Sequence, residues 1–325
     1  MAYLIKGNTA NEIWQAAREL VLEQGCVQNN TREVLHVVME LNHPRQKWVS
    51  NRNPAMSLAF AMAELVWIVM GDNKREVIDF WNKSYSKYTA DEGKDYYHGA
   101  YGYRLRYNYD VDQLQRAYEA LKANPDNRQT VMLYWDPRLD LPRETGAPQS
   151  RDIPCNICSM LKLRAGKLEW TQVMRSNDLY KGLPYNFVQF TSLQEILAGW
   201  LGVEVGTYTH ISDSLHLYDQ DEKCQYSTNE LMLNGDSLSI PKDKFDGIIM
   251  EIYKRMQSIV YDNLTAGELV RLSRLKSAYS AYNNLMCIIV AYAAKKLEFN
   301  DIIPSIMSSC NNMLYKNLWL EYCKR

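Results

Sequence analysis

One stretch of the chain, from Arg151 to Tyr218, concentrates the residue types that can carry out chemistry. In chain order it holds a cysteine after a proline, an Arg-Ser pair, an amide beside an aromatic and a His-x-Tyr: Cys155, Arg175, Ser176, Asn186, His216 and Tyr218. A thiol can attack a carbon centre, and an arginine binds a phosphate through charged hydrogen bonds. Together these groups suit nucleophilic attack on a ring that also carries a phosphate.

Cys155 is the candidate nucleophile, because it follows Pro154 near a predicted strand start where a thiol can face a cavity. A nucleophilic thiolate needs a nearby cation, and Arg175 is the candidate. Cys155-x-x-Cys158 also matches a redox or zinc pair, but no second pair or histidine follows at metal spacing. In a strand, moreover, this separation points the two thiols to opposite faces. We therefore predict no metal site.

Four polar side chains each leave two interpretations open. Asn186 offers a donor and an acceptor, which suits the O4/N3 edge of uracil, but it could also cap the helix that follows. His216 and Tyr218 lie two apart on a predicted strand and face one side, where they could bind a sugar hydroxyl or be polar-tipped core. Glu64 lies inside a predicted buried helix, where a carboxylate is costly unless it is paired or used.

The composition bounds the class of protein. A chain of 325 residues corresponds to one large domain or two small ones, and a net charge of −1 provides no global field for nucleic acid. No secretory pattern opens the chain, and the longest apolar run is too short to span a bilayer. The seven cysteines are an odd number, so reduced thiols are expected. We predict a cytoplasmic protein without a membrane segment.

Hydrophobic periodicity predicts a mixed architecture. Helices are expected at 11–24 with Asn11 as N-cap, 54–69, 111–121 and 185–201, and strands at 129–137, 158–163, 168–174 and 206–218. Residues 85–109 are rich in tyrosine and glycine and are predicted to form an irregular cavity wall. After Tyr218 the pattern becomes wholly helical. We predict an α+β (α/β layered) catalytic domain over residues 1–220, with a helical C-terminal extension over 221–325 packed on the same domain.

Six segments, in order and spacing, resemble the thymidylate synthase family. The landmarks are AELVWIVMGDN, HGAYGYRLR, NPDNRQTVMLYWDP, PCN, MRSND with GLPYN, and SLHLY. The resemblance covers roughly residues 10–220. It implies a thymidylate synthase-like fold that forms a homodimer through its sheet. It also implies a pyrimidine nucleoside monophosphate as substrate and 5,10-methylenetetrahydrofolate as co-substrate.

The resemblance also implies roles for individual residues. Cys155 would attack C6 of the pyrimidine, Glu64 would organise water and proton transfer, and Tyr101 would serve proton removal at C5. Arg32, Arg175 and Ser176 would bind the phosphate together with Arg128 from the other subunit. This set of cations is expected to depress the pKa of Cys155. The remaining assignments are Asp178 to the folate pterin, Asn186 to the pyrimidine edge, and His216 with Tyr218 to the ribose.

Departures from the family pattern bear on the product. Gln129 replaces a second arginine, and Asn156 replaces a histidine after the cysteine. Trp81 supplies one of the two tryptophans that wall the folate, with Tyr85 and Tyr88 as the nearest substitutes for the other. The tail that closes over the folate has no evident counterpart.

Without that closure, water can add to the exocyclic methylene of the pyrimidine, which leaves a 5-hydroxymethyl group. We therefore predict a hydroxymethylase, with thymidylate synthase proper as the alternative and an inactive nucleotide-binding scaffold as a distant one. Asn186 favours dUMP, while dCMP and CMP stay open.

Overall fold

The computed structural model describes residues 2–89, 91, 93–223, 225–226 and 232–324. The strands are β1 Tyr3–Gly7, β2 Cys26–Gln28, β3 Thr31–Leu41, β4 Arg52–Asn53, β5 Val131–Leu133, β6 Asn156–Arg164, β7 Lys167–Met174, β8 Asn177–Asp178, β9 Glu204–Tyr218 and β10 Gln225–Tyr226. The helices are α1 Ala10–Gln24, α2 Leu58–Met70, α3 Arg75–Asp79, α4 Tyr85–Thr89, α5 Tyr101–Arg106, α6 Gln113–Ala123, α7 Pro137–Asp140, α8 Leu183–Leu201, α9 Lys242–Tyr261, α10 Ala266–Ser273, α11 Ser280–Lys296, α12 Ile303–Ser308 and α13 Met313–Cys323. The predicted α+β class is confirmed.

A mixed sheet forms one layer of the molecule. Its order is β1-β3-β9-β7-β6-β5, with β2 added to β3 and β8 added to β9. β6 and β7 form the predicted hairpin, and Ala165 and Gly166 at its turn both have positive φ, as a tight type I′ turn requires. β9 runs antiparallel to β3 and parallel to β7, so the long strand that carries His216 lies in the middle of the sheet.

The α2 helix lies at the centre of the helical layers. Every residue from Leu58 to Val69 is buried, and the helix contacts α5, α8, α9, α11 and α13. Such a helix must be apolar on nearly all sides, and apart from Glu64 its sequence is. It begins at Leu58 rather than near Pro54, because the Ser57 side chain accepts a hydrogen bond from the Phe60 N–H and caps it.

Two local predictions are wrong. The N-cap of α1 is Thr9, whose hydroxyl accepts from the Glu12 N–H, while Asn11 lies inside the helix and its side chain bonds to Ser50 and the Asn51 N–H. Residues 85–109 are not wholly irregular, since they contain α4 and α5. Tertiary packing organises these short helices, which lack a long amphipathic repeat.

The C-terminal helices pack on the same hydrophobic core as the rest of the chain. α9, α11 and α13 all contact α2, and Trp81 packs against Tyr292 of α11 with ring centroids 5.7 Å apart. The division at residue 220 stays a prediction. Among the described helices, none is long and apolar enough to cross a membrane.

Candidate active site

Cys155 lies in the loop immediately before β6, and its surroundings are built by the next strand pair. The Arg175 N–H donates to the Cys155 carbonyl oxygen at 2.9 Å. The Arg175 guanidinium donates to the carbonyl oxygens of Pro154 and Ile153, at 2.9 and 3.0 Å. Arg175 thereby holds the loop that presents the thiol and places a positive charge beside it.

The prediction that neighbouring cations depress the pKa of Cys155 is wrong for this structure. Burial raises the pKa of the thiol, and the charge of Arg175 only partly opposes that effect. Two carboxylates, Asp152 and Asp178, push the pKa upward as well. The thiol form is therefore favoured in the protein alone, and attack by sulfur requires a group that takes its proton.

Glu64 and Asn186 meet across α2 and α8, joined by Gln189. The Asn186 amide nitrogen donates to Gln189 Oε1 at 3.0 Å, and the Gln189 side chain hydrogen-bonds Glu64. Glu64 Oε2 and Asn186 Oδ1 are buried and have no partner among the described residues. Buried polar atoms are rarely left unpaired unless a ligand or water completes them. Burial raises the pKa of Glu64 to about 7, so this carboxyl can give or take a proton near neutrality.

Asn186 is not the cap of its helix. The N-cap of α8 is Gly182, and the Asn186 N–H already donates to the Gly182 carbonyl oxygen at 2.9 Å. Its side chain is therefore not the helix cap, and its role at the pyrimidine edge stays a prediction.

Tyr101, the first residue of α5, lies close to Cys155 and Glu64. A Cβ at Gly102 would collide with the Ile68 carbonyl oxygen, so a glycine is needed for α5 to approach α2 this closely. Burial raises the pKa of the Tyr101 hydroxyl well above its usual value, and the charges of Cys155, Asp152 and Glu64 add to that effect. Tyr101 thus lies near the Cys155 thiol and near the carboxyl groups of Asp152 and Glu64.

Asn156, in the position of the family's histidine, is held from behind by a buried chain of hydrogen bonds. Its Oδ1 accepts from the Gln172 amide at 2.8 Å, and Gln172 Oε1 accepts from the Ser159 hydroxyl at 2.6 Å. Because its oxygen is engaged with Gln172, the buried Asn156 amide nitrogen has no partner at hydrogen-bond distance among the described residues, but it lies near enough to Tyr101 to lower the pKa of that hydroxyl. The replacement is therefore an oriented donor rather than a loose polar residue.

Asp178, His216 and Tyr218 form a second polar group on the Cys155 side of the sheet. β8 pairs with β9 so that Asp178 lies opposite His216, and the rings of His216 and Tyr218 are in edge contact at 5.3 Å. The predicted common orientation of His216 and Tyr218 is confirmed. Burial raises the pKa of Asp178 and lowers that of His216, while each charge favours the charged form of the other.

The structure brings together only part of the predicted phosphate set. Arg175 and Ser176 lie at the end of β7, and Arg128 is exposed just before β5. Arg32 forms an ion pair through its Nε with Glu222 at 2.5 Å, and it faces away from Glu33, which lies opposite His216. A phosphate role for Arg32 stays a prediction, and it would require release from Glu222.

Of the aromatic residues predicted to wall the folate, Trp81 and Tyr85 pack against different neighbours. Trp81 is 1% exposed and packs between Phe80 and Tyr292. Tyr85 lies nearer Glu64 and Tyr101. Burial raises the pKa of its hydroxyl, and the charges of these two neighbours raise it further. The side chain of Tyr88 lies outside the described residues. The folate roles of these three residues stay predictions.

Three site residues escaped the sequence analysis. Gln189 lies three positions after Asn186 on α8, and that helical spacing is a signal that could have found it. Gln172 alternates with its neighbours on β7 and has no distinguishing feature in the sequence. Asp152 precedes Cys155 by three residues, and nothing in the sequence alone says that its carboxyl faces the same cavity.

The sequence of the chain matches a known family. The sequence profile of the thymidylate synthase family matches residues 14–262, and the chain belongs to that family. The predicted membership is confirmed. The match reaches further than the predicted resemblance, which ended near residue 220, and it takes in α9.

The chain is similar to relatives that carry two different names, deoxyuridylate hydroxymethyltransferase and putative thymidylate synthase. The chain is 32% identical over 235 residues to the deoxyuridylate hydroxymethyltransferase of Bacillus phage SP01, which covers 67% of this chain and 60% of that protein. It is 36% identical over 163 residues to the protein of the same name from Pseudomonas phage M6, which covers 50% and 44%. It is 30% identical over 241 residues to a putative thymidylate synthase of Methanothermobacter marburgensis, which covers 72% and 100%. The chain thus spans about half the length of the two phage relatives.

Proposed function

We propose that this protein transfers a one-carbon unit from 5,10-methylenetetrahydrofolate to C5 of dUMP and releases the 5-hydroxymethyl nucleotide. The observation that carries the proposal is the proximity of Cys155 and Glu64 to Tyr101, with Glu64 joined through Gln189 to Asn186. Two oxygens of the Glu64–Gln189–Asn186 cluster have no partner in the described structure. They are suited to a pyrimidine edge and an ordered water.

Each residue of the cavity would perform a separate task. Cys155 Sγ bonds to C6, and the displaced electrons make C5 nucleophilic. Asn186, braced by Gln189, holds the ring edge, while Tyr101 and Glu64 manage the proton at C5. Arg175 and Ser176 bind the phosphate with Arg128 from a second copy of the chain, and His216 and Tyr218 hold the ribose.

The residues present also fit a folate. Asp178 presents a half-buried carboxyl that two backbone N–H groups orient, each at 2.7 Å, and Tyr85 offers an aromatic ring near Glu64. When bound, the folate supplies the one-carbon unit at the oxidation level of formaldehyde. The protein's part is to bind it and to decide whether water reaches the pyrimidine methylene.

Three features favour the hydroxymethyl product. Asn156 stands in place of the family histidine. Trp81 packs against Phe80 and Tyr292, so it is less available to wall a folate. Two phage relatives carry the matching name. A water that reaches the methylene before hydride transfer would end the reaction there.

The second candidate is thymidylate synthesis. It is favoured by the archaeal relative, whose whole length this chain covers and which is called a putative thymidylate synthase. The two reactions share every step through the covalent adduct, so the residues around Cys155 do not discriminate between them.

The proposal includes a homodimer in the cytoplasm. Leu35 on β3 and Val131 and Leu133 on β5 are 43–48% exposed, and exposed apolar side chains of this kind suit burial against a second copy. The exposed Arg128 lies next to Val131 and can reach a partner's phosphate site. The cysteines in the described ranges are free thiols, as in a reducing compartment.

One assay separates the candidates. The protein is incubated with methylenetetrahydrofolate and dUMP, dCMP or CMP in parallel, and both products are identified by mass and absorbance. We expect tetrahydrofolate together with dUMP that has gained CH2O. Dihydrofolate with a gained CH2 would instead establish thymidylate synthesis. Cys155→Ala should still bind dUMP but form neither product, and it is the negative control for both reactions.

A further inference from the structure

A carboxylate outside the roles assigned so far is built into the wall of the same cavity. Asp152 lies three residues before Cys155, and its Oδ2 accepts a hydrogen bond from the Gly99 N–H at 2.7 Å. A Cβ at Gly99 would lie 2.7 Å from the Asp152 carbonyl oxygen, so only glycine permits this contact. Asp152 therefore joins the loop that carries Cys155 to the segment that leads into Tyr101.

The loop around Asp152 is held rigidly from the other side. The Asp152 N–H donates to the Ser150 hydroxyl oxygen at 3.1 Å, and that hydroxyl donates to Asp91 at 2.7 Å. The Arg151 N–H donates to Asp91 as well, at 3.0 Å. Asp91 thus fixes the backbone, and the Asp152 carboxyl is left with one oxygen, Oδ1, that receives no hydrogen bond from the described residues.

The charges around Asp152 leave it available as a base. Burial raises its pKa to about 6, the Gly99 N–H and the neighbouring side chains of His98 and Arg104 oppose this, and Asp91 adds to it. Both His98 and Arg104 are bound to Asp140, at 2.8 and 2.9 Å, so neither forms an ion pair with Asp152. At neutral pH the carboxyl is mostly ionised but less stabilised than an exposed one.

On its cavity side the same carboxylate acts on the reacting groups. It raises the pKa of Cys155, against the effect of Arg175, and it raises the pKa values of Tyr101 and Tyr85. A carboxylate beside a nucleophilic cysteine is a disadvantage if the sulfur has to be ionised before the substrate binds, because the negative charge opposes the thiolate. It becomes an advantage if the sulfur attacks as a thiol and must lose its proton during the step.

We propose that Asp152 is the proton acceptor for Cys155 in the proposed one-carbon transfer. As the Sγ–C6 bond forms, the S–H bond breaks and its proton moves to Asp152, while the C5–C6 double-bond electrons pass to C5 and the C4 carbonyl. When sulfur leaves at the end, C5=C6 reforms and the proton returns from Asp152 to Sγ. The inference rests on the proposed function but holds for either product, since both require this adduct.

Asp152→Asn tests the proposal, because asparagine keeps an oxygen for the Gly99 N–H but removes the base. We expect release of tritium from [5-³H]dUMP to fall about 100-fold, as for loss of a general base, with dUMP affinity unchanged within about threefold. In the same variant, alkylation of Cys155 by iodoacetamide should be as fast as in the wild type or faster, because a charge that opposes the thiolate is gone. A merely structural role would slow both reactions together.

Asp95→Asn is the matched control, since it removes a nearby exposed carboxylate that takes no part in holding the Asp152 loop. It should keep tritium release within about threefold of wild type. If Asp152→Asn is poorly folded by thermal melting, Asp152→Ala with added formate replaces it, and recovery of at least tenfold supports the proposal.

Tritium release by Asp152→Asn within threefold of wild type, or a parallel loss of alkylation, would overturn the inference. So would the absence of formate recovery where Asp152→Ala is the variant tested. A wild-type protein that releases tritium from none of dUMP, dCMP and CMP would overturn the proposed function itself, a different result.

Discussion

Glu64 and Glu195 are two glutamates buried in neighbouring helices, yet their surroundings are opposite. They are 4% and 1% exposed, on α2 and α8 respectively. Glu195 accepts from Lys47 at 2.8 Å, from Arg45 at 2.9 Å and from the Leu238 N–H at 3.0 Å. Glu64 faces no cation within ion-pair distance in the described part of the chain and leaves one oxygen unpaired.

The pKa values follow from that difference. Burial pushes both upward, but at Glu195 the charges of Lys47 and Arg45 outweigh burial and the pKa lies below its usual value. At Glu64 the hydrogen bond from Gln189 is too weak to do so, and the pKa rises to about 7. Equal burial therefore produces a structural ion pair in one place and a titratable group in the other.

The same contrast holds for buried amides. In the C-terminal part, Asn284 donates to both oxygens of Asp236 and to Asn311, and Asn312 donates to Asn234. These groups tie the helices of the extension together. Asn186, by comparison, is buried but leaves its side-chain oxygen without a partner in the described part of the chain. The amides of the C-terminal part are therefore paired with one another, whereas the Asn186 oxygen is left for a ligand or a water.

The largest expected effect is on catalysis through Glu64. Glu64→Gln keeps the shape and the contact with Gln189 but removes the titratable proton, so tritium release from [5-³H]dUMP should fall about 10²- to 10⁴-fold. Stability should be equal or higher at pH 8, because a poorly solvated charge is removed. If tritium release falls less than tenfold in Glu64→Gln, Glu64 does not act as a proton donor or acceptor in the reaction.

Glu195→Gln should have the opposite profile. It leaves Lys47 buried without its anion, and the free energy of unfolding in urea at pH 7 should fall by about 3–5 kcal/mol. The activity of the folded fraction should change little. The matched control is Lys47→Met with Glu195→Leu, which removes both charges and should recover most of the stability. An unfolding free energy within about 1 kcal/mol of wild type for Glu195→Gln would contradict a structural ion pair.

The pH dependence of stability should separate the two glutamates. The folded pKa of Glu64 is raised, so its contribution is complete below about pH 4.5 and is lost as pH rises through about 7. The loss is about 3 kcal/mol for a shift of this size. Wild type should therefore lose stability relative to Glu64→Gln between pH 5 and pH 8, as followed by urea unfolding. Parallel curves would show that Glu64 is not titrating in this range.

Glu195 has the reverse sign. Its folded pKa is lowered, so its contribution is present above about pH 4.5 and is lost as pH falls through the folded value. Glu195→Gln should accordingly be most destabilised near neutrality and approach wild type in acid, in the same series of urea measurements.

Regular elements with a strong period were predictable, and short or context-dependent ones were not. α8, β7 and β9 agree with their predicted segments within a few residues because their patterns are long. The Thr9 cap and the α4 and α5 helices were missed. A cap depends on the conformation of one residue, and a five- or six-residue helix is stabilised by its neighbours rather than by its own sequence.

By itself, the sequence determined the family and predicted a nucleophile and a set of polar side chains around it, because the motifs around Cys155, Arg175 and Asn186 are contiguous and specific. It also showed that Glu64 is buried, since an apolar helix surrounds it. Only the tertiary structure decided which buried groups are paired. Lys47 and Glu195 are 148 residues apart, and Gly99 and Asp152 are 53 residues apart. The charge that a carboxyl meets when it is buried depends on such distant neighbours, so the difference between Glu64 and Glu195 arises only when the chain folds.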